Sequence, residues 1–217
     1  MKAIRILFGF GLLVTFGILS CSCTKVSSND ETIVPIGKEY FNVEELFSEV
    51  KPTFDEVREI MGIGDEDLIP PKVVGEYVVN PTVLVASSEE NMPTDMSDVH
   101  LSFDCQHNSI ATIKFTESSI TQVTDPVYIV GNSNSFTAYF IENTEYPTPP
   151  YNGQVFHVKR RRGIIMCGSV TPEGLSNFRY ASIIIEMKDD SQGKLPQYAP
   201  GTYVIYKEDD RLADKCN

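Results

Sequence analysis

The chain has 217 residues, of which 41% are hydrophobic, and a formal net charge of −12 from 18 Lys and Arg against 30 Asp and Glu. This length is sufficient for one domain with its own core, and the hydrophobic fraction is typical of a globular protein. The acidic balance argues against a nucleic-acid-binding function, which needs a concentrated basic face to neutralise phosphates.

The N-terminal segment has the pattern of an export signal. Lys2 and Arg5 form a short positive region, and residues 6–19 are then uncharged and strongly apolar. An apolar run of this length is too short to cross a bilayer comfortably, but it fits the hydrophobic region of a secretory signal. The pattern therefore predicts that residues 1–20 are a signal peptide.

The end of this signal, Ile18-Leu19-Ser20-Cys21, resembles the lipobox of bacterial lipoproteins. The resemblance implies cleavage before Cys21, which then becomes the lipid-modified first residue of the mature chain. Several acyl chains on one residue anchor a protein stably, because each buried methylene contributes about 0.8 kcal/mol. An ordinary signal peptide that is cut near Cys21 without lipid attachment is the alternative.

A polar segment follows, and residues 21–38 are expected to form a flexible tether. A signal ending in Cys, a polar tether and an acidic β-rich domain together resemble many lipoproteins of the Bacteroidota. This resemblance implies a lipid-anchored protein of the bacterial cell envelope, at the outer membrane. The periplasmic and the surface face both stay open, because surface-export signals in that group usually place acidic residues close behind the Cys, whereas here Asp30 and Glu31 come later.

Two short helices are predicted within a lead-in of residues 39–71. Asn42 can cap a first helix, which Pro52 then interrupts. Thr53 opens a second capping box, and Gly62 is a natural stop for that helix. The apolar stripes of both helices are expected to cover one end of a sheet, and a partner-binding helix is the alternative.

Residues 72–210 are a succession of short strand-like runs separated by turn residues, and residues 211–217 are expected to be a tail. Apolar and polar side chains largely alternate in 99–103, 111–115 and 181–187, which is the period of a strand with one buried face. Strands at this spacing, without long helices between them, indicate an antiparallel sandwich or barrel. About nine strands are expected, which is enough to close a sheet and hide its edges.

The tripeptide Gly75-Glu76-Tyr77 opens this series behind a short helical lead-in. It resembles the first strand of a lipocalin-like (calycin) barrel, which that family marks with Gly-x-Trp. The resemblance implies an antiparallel up-and-down β-barrel over roughly residues 72–207, with a small apolar ligand inside. Aromatic-rich strands supply the candidate lining residues, which are Tyr77, Phe103, Phe115, Phe136, Phe140 and Tyr206.

Four cysteines remain besides Cys21, namely Cys23, Cys105, Cys167 and Cys216. Four cysteines allow three disulfide connectivities, and the sequence does not choose among them. Cys105 and Cys167 lie in apolar runs and are expected to be small buried core residues. A bridge between them requires that their strands meet.

Patterns of catalytic or metal-binding residues are weak in this sequence. The histidines His100, His107 and His157 have no zinc-ligand spacing, and Cys167-Gly168-Ser169 lacks the second glycine of a nucleophile elbow. The paired carboxylates lie in expected turns, where solvation is their usual role. We therefore predict a protein that is not an enzyme and that needs no metal or cofactor.

The cluster Lys159-Arg160-Arg161-Arg162 is unusual in so acidic a chain. Two strands are expected to flank it, which would place it at a hairpin tip. Arginine forks bind oxyanions bidentately, so the cluster is a candidate site for phosphate or sulfate groups of lipopolysaccharide or of an acidic glycan. A solvated tip that leans on the chain's own acidic loops is the alternative.

Two functional hypotheses follow from these observations. In the first, the protein is an anchored, non-catalytic binding module whose barrel holds a small apolar or glycan ligand. In the second, the barrel is packed solid and the protein is a structural or accessory subunit of an outer-membrane complex. A ligand cavity would favour the first, whereas an exposed apolar patch on the outside would favour the second.

Overall fold

A computed structural model describes residues 42–216, apart from 65–68, 81, 97, 118–119, 149, 151, 194, 196–197 and 210–211. The predicted signal peptide and tether, with Cys21 and Cys23, lie outside the described residues. The described part is mainly β, and its strands pair in antiparallel fashion. Two short helices precede the sheet. The predicted fold class, a barrel-like antiparallel β fold behind two short helices, is confirmed.

The lead-in consists of helix α1 (Val43–Leu46), a 3-10 turn (Ser48–Val50) and helix α2 (Lys51–Met61). Asn42 caps α1 as predicted, since its side-chain oxygen accepts hydrogen bonds from the N–H groups of Glu44 and Glu45. Helix α2 begins at Lys51, so the predicted start at Thr53 was wrong. Pro52 is tolerated in the first turn because the N–H that it lacks would have no acceptor there.

Eleven strands are present among the described residues. They are β1 (Gly75–Val79), β2 (Thr82–Ser87), β3 (Asp95–Met96), β4 (Val99–His107), β5 (Ile110–Glu117), β6 (Ile120–Asn132), β7 (Ser135–Pro147), β8 (His157–Val170), β9 (Gly174–Asp189), β10 (Tyr203–Glu208) and β11 (Leu212–Lys215). Strand β11 lies in the segment that was expected to be a tail.

Eight of these strands form a closed ring in the order β1-β4-β5-β6-β7-β8-β9-β11, because β11 pairs with both β9 and β1. The long strand β9 shares one edge between two partners. Its first residues pair with β11, and residues 179–183 pair with β10. Strands β2 and β3 continue outward from β10. The sheet therefore forks at β9, and one branch closes the ring while the other extends away from it.

The ring encloses the larger of two hydrophobic clusters. Alternating residues of its strands point inward, so that Val99, Leu101 and Phe103 of β4 meet Ile113 and Phe115 of β5. The predicted alternation in these strands is confirmed. It follows from the two-residue period of a strand, which sends every second side chain to the same face.

The second cluster lies on the outer face of β7–β10, beneath the helices. Phe47, Phe54 and Val57 of the lead-in are fully buried there. The ring of Phe47 occupies the space above Gly163 of β8, where a Cβ atom would lie 2.2 Å from its Cε1. The apolar stripes of the helices thus pack on the sheet, as expected, but they cover an outer face of β7–β10 and not one end of the sheet.

Cys105 departs from its predicted position. The strand bulges between Asp104 and His107, and Cys105 has a φ of 50° and is exposed. A bulge shifts the alternation of the residues that follow it, so the prediction of a buried Cys105 was wrong. Cys167 lies on β8, which does not neighbour β4 in the sheet. The condition for a Cys105–Cys167 bridge is therefore not met.

Candidate functional site

The six aromatic candidates all lie in the inner cluster. Their exposed fractions run from 0% to 5%, and they pack against other buried rings. The ring centroid of Phe103 lies 6.4 Å from that of Tyr77 and 5.9 Å from that of Phe136, and Phe115 stacks on Tyr180 at 5.6 Å. A ligand cavity would leave accessible surface on the side chains that line it. The aromatic side chains, which include Phe140 and Tyr206, instead fill the space between the strands.

The basic cluster lies within one continuous strand, β8. The predicted hairpin tip at this point was wrong. Strand alternation sends Lys159 and Arg161 to one face and Arg160 and Arg162 to the other. On the first face, Lys159 pairs with Glu145 at 3.2 Å and Arg161 pairs with Glu49 of the 3-10 turn. Both ion pairs are largely exposed.

On the opposite face of β8, Arg162 and its cross-strand partner Glu142 form a buried ion pair, with side chains that are 9% and 4% exposed. The guanidinium of Arg160 lies over the ring of Tyr146, 5.4 Å from its centroid. The four cations therefore point in two directions, and each has a contact within the chain. This arrangement is closer to the alternative interpretation, in which the cluster contacts the protein's own acidic residues, than to one shared anion site.

A different site lies on the outer face of β7, β8 and β9, where α2 ends. The row Tyr139-Ile165-Ala181, which runs across these three strands, is buried beneath the helices. The next row toward the hairpin ends is Thr137-Cys167-Arg179. Because α2 ends at Met61, a cleft opens beside this row and the polar residues beyond it.

This hairpin-end cleft has a volume of about 290 Å³. Its floor carries polar groups on the outer strand faces, and the hydroxyl oxygens of Ser135 and Ser169 lie 3.1 Å apart. Its sides and rim are formed by Asn132, Asn177 and the segment 61–64 that leaves α2. Gly131 lies in β6 just before its turn into β7, with a φ of 149°, and a Cβ atom there would clash with the backbone of Ser135.

Two arginines hold the rim of the cleft in place. Arg179 Nη1 donates hydrogen bonds to the carbonyl oxygens of Ile60 and Met61, at 3.2 and 2.9 Å. Arg58 Nη2 donates to the carbonyl oxygen of Gly64 at 3.0 Å. These carbonyls belong to the end of α2 or follow it, and such groups lack partners within a helix. The rim is thus ordered by side-chain contacts before any ligand arrives.

A second groove, of about 270 Å³, lies on the outer face of β1, β4 and β5. His100, Ser102, Lys114 and Glu76 line it, together with Cys216, whose N–H donates to the carbonyl of Glu76 at 2.9 Å. In the described parts of the chain, no three His, Cys, Asp or Glu residues converge in a geometry that could hold a metal ion.

Sequence reasoning did not single out Ser135, Asn177 or Arg179, and it considered Ser169 only as part of an incomplete nucleophile elbow. One signal in the sequence could have indicated the site. Along β9, alternate positions change from polar, at Asn177 and Arg179, to apolar, at Ala181. Only the register between strands brings these polar ends together beside α2. A single sequence does not provide that register.

Comparison of the chain with known protein families, with curated proteins and with solved structures found no match. Across the described residues, no helix has the length and apolar character needed to cross a bilayer.

Proposed function

We propose that this protein is a non-catalytic binding module, anchored to the bacterial outer membrane through a lipid on Cys21, and that it binds a glycan in the hairpin-end cleft. The observation that carries the proposal is the cleft itself, in which hydroxyl and amide side chains from four strands, β6 to β9, surround a volume of about 290 Å³. The lipobox-like end of the signal, Ile18-Leu19-Ser20-Cys21, supports the anchor.

The composition of the cleft favours a glycan over an apolar ligand. Ser135, Ser169, Asn132 and Asn177 offer both hydrogen-bond donors and acceptors, which matches a ring that carries several hydroxyl groups. Pockets for drug-sized ligands are roughly 300–1,000 Å³, so this cleft suits one sugar unit of a longer chain. The rim is held by Arg58 and Arg179, and such preorganisation reduces the entropic cost of binding.

A second candidate function is that of an accessory subunit in an outer-membrane complex. The filled interior of the ring favours it, because a subunit that is recognised through its surface needs no cavity. The large apolar side chains exposed on the described surface come from separate parts of the chain and include Ile69, Val123 and Val155. Single exposed apolar residues are ordinary on soluble proteins and do not by themselves mark an interface.

A glycan array tests the proposal with the full-length chain purified in detergent. The cleft is blocked by Ser169→Tyr, because Ser169 lies on its floor. Ser102→Tyr is the matched control, since Ser102 is also a half-buried strand residue but lines the groove on β1, β4 and β5. We expect a subset of glycans to bind the wild-type chain and the Ser102→Tyr variant and to be lost with Ser169→Tyr.

Two results would contradict the proposal. Binding of no glycan by the wild-type chain would remove its basis, and glycan binding that Ser169→Tyr leaves unchanged would exclude the cleft as the site. Loss of binding in both tyrosine variants would point to a general loss of folding. Circular dichroism of the two variants separates a folding defect from a blocked cleft. Co-purification of a defined envelope partner with wild type and both variants, without glycan binding, would favour the accessory-subunit function.

A further inference from the structure

The hairpin-end cleft has an electrostatic character opposite to that of the whole protein. The chain carries a net charge of −12, yet among the described residues that line the cleft none is acidic and one, Arg179, is a cation. Because no carboxylate lines this cleft, a negatively charged ligand is not repelled there, although the protein as a whole is acidic. Charges of one sign in a concave site also raise the local concentration of the opposite sign.

The side chain of Arg179 is held in a defined orientation. Its Nη1 group donates to the carbonyl oxygens of Ile60 and Met61, which fixes the guanidinium against the end of α2. These contacts do not use the side of the guanidinium that is formed by Nε and Nη2. That side is one of the two on which arginine binds a carboxylate with a pair of parallel hydrogen bonds.

Hydroxyl-binding groups lie in the same cleft. The Ser135 and Ser169 hydroxyls are 3.1 Å apart, and Asn177 lies two residues before Arg179 on β9. A ligand that reaches both would carry a negative group on one side and hydroxyl groups on the other. A sugar whose ring bears a carboxylate has this combination.

We propose that the ligand of the hairpin-end cleft is an acidic sugar whose carboxylate binds Nε and Nη2 of Arg179, an inference that rests on the proposed glycan-binding function. This site is separate from the basic cluster on β8, whose cations already contact Glu49, Glu142, Glu145 and Tyr146. Arg179 positions the rim through Nη1 and binds the ligand through its other nitrogens.

The test uses two probes that differ only at the sixth carbon, methyl β-D-glucuronide and methyl β-D-glucoside, each titrated into the full-length chain in detergent by calorimetry. We expect the glucuronide to bind about tenfold more tightly or better, as is usual for a charge-assisted pair of hydrogen bonds, and this preference should weaken with added salt. Arg179→Gln should abolish the preference, and Arg179→Lys should retain only part of it, because an ammonium lacks the planar fork.

Arg58→Gln is the matched control, because Arg58 also donates to the rim but lines the opposite side of the segment that follows α2. It should keep the preference for the glucuronide. If Arg58→Gln and Arg179→Gln lose the preference equally, rim order and not a contact with Arg179 explains it, and the inference fails. If both probes bind equally and Ser169→Tyr removes both, the inference fails while the glycan-binding function stands. If neither probe binds, the inference fails, and the glycan array alone decides the glycan-binding function. If the probes bind and Ser169→Tyr has no effect on their binding, both proposals fail.

Discussion

The contact between Phe47 and Gly163 gives the sharpest test of how the lead-in packs on the sheet. In a Gly163→Ala variant, the new Cβ would lie 2.2 Å from Cε1 of the Phe47 ring, whereas carbon atoms pack best at about 3.5–4.0 Å. The ring is fully buried, and it stacks on Phe54 with a centroid distance of 4.4 Å. Neither ring can therefore retreat without moving the helices.

The expected loss of stability follows from two opposing effects. Overpacking of a core costs typically about 1–3 kcal/mol, and the upper part of that range applies because the clash exceeds 1 Å. Alanine offsets about 0.5–1 kcal/mol of this by restricting the unfolded chain more than glycine does. We expect a net loss of about 2 kcal/mol in the free energy of unfolding, or a melting temperature lower by about 4–8 °C for a domain of this size.

Urea unfolding followed by circular dichroism measures this loss, with Gly64→Ala as the control, since a Cβ at Gly64 would meet no atom within 4 Å. Combining Gly163→Ala with Phe47→Leu, which shortens the opposing side chain, should cost less than the sum of the two single changes. A Gly163→Ala variant as stable as the wild type, or strict additivity in the double variant, would refute the packing described for Phe47.

Three further predictions concern the buried ion pair, a buried tyrosine and the anchor. Arg162→Met should lower the free energy of unfolding by about 3–5 kcal/mol because it leaves Glu142 buried without its charge partner. Lys159→Met should lower it by less than about 1 kcal/mol because its ion pair is exposed. Similar urea midpoints for the two variants would contradict this prediction. Burial raises the pKa of the Tyr77 hydroxyl above its ordinary value, so the folded state holds that proton more tightly, and the resulting stability is present below about pH 10 and lost as the pH rises further. Unfolding from about pH 8 to about pH 11 should therefore show a weaker alkaline loss in Tyr77→Phe than in wild type, and equal slopes would count against it. Cys21→Ala should abolish metabolic lipid labelling and release the protein from the membrane fraction, and retention of both would exclude the lipoprotein hypothesis.

The alternation of apolar and polar residues was sufficient to predict a strand and its buried face where the strand is regular. Val99, Leu101 and Phe103 alternate with polar residues, and all three point into the ring. The pattern failed two residues later, because the bulge at Cys105 changes which face the side chain meets. The sequence around Cys105 contains no residue pattern that predicts this bulge.

The prediction that the basic cluster lies at a hairpin tip was wrong for a different reason. Three consecutive arginines are typical of a solvated turn, yet here they lie within β8, where side chains of the neighbouring strand β7 and of the lead-in contact them. Glu49 lies in the lead-in, and Glu142 and Glu145 lie on β7. These carboxylates balance the charge of the strand through the register of β7 with β8 and through the packing of the lead-in, and composition alone reveals neither.

The fork at β9 has a consequence for how the protein is made. Strand β11, the last of the described strands in chain order, joins β9 to β1, the first. As the chain folds, the ring cannot close until β11 reaches both β9 and β1, and until then β1 and the first residues of β9 present backbone edges without a partner on that side. Pairing between segments so far apart in sequence is slow, and open strand edges are the surfaces through which nascent chains associate with one another.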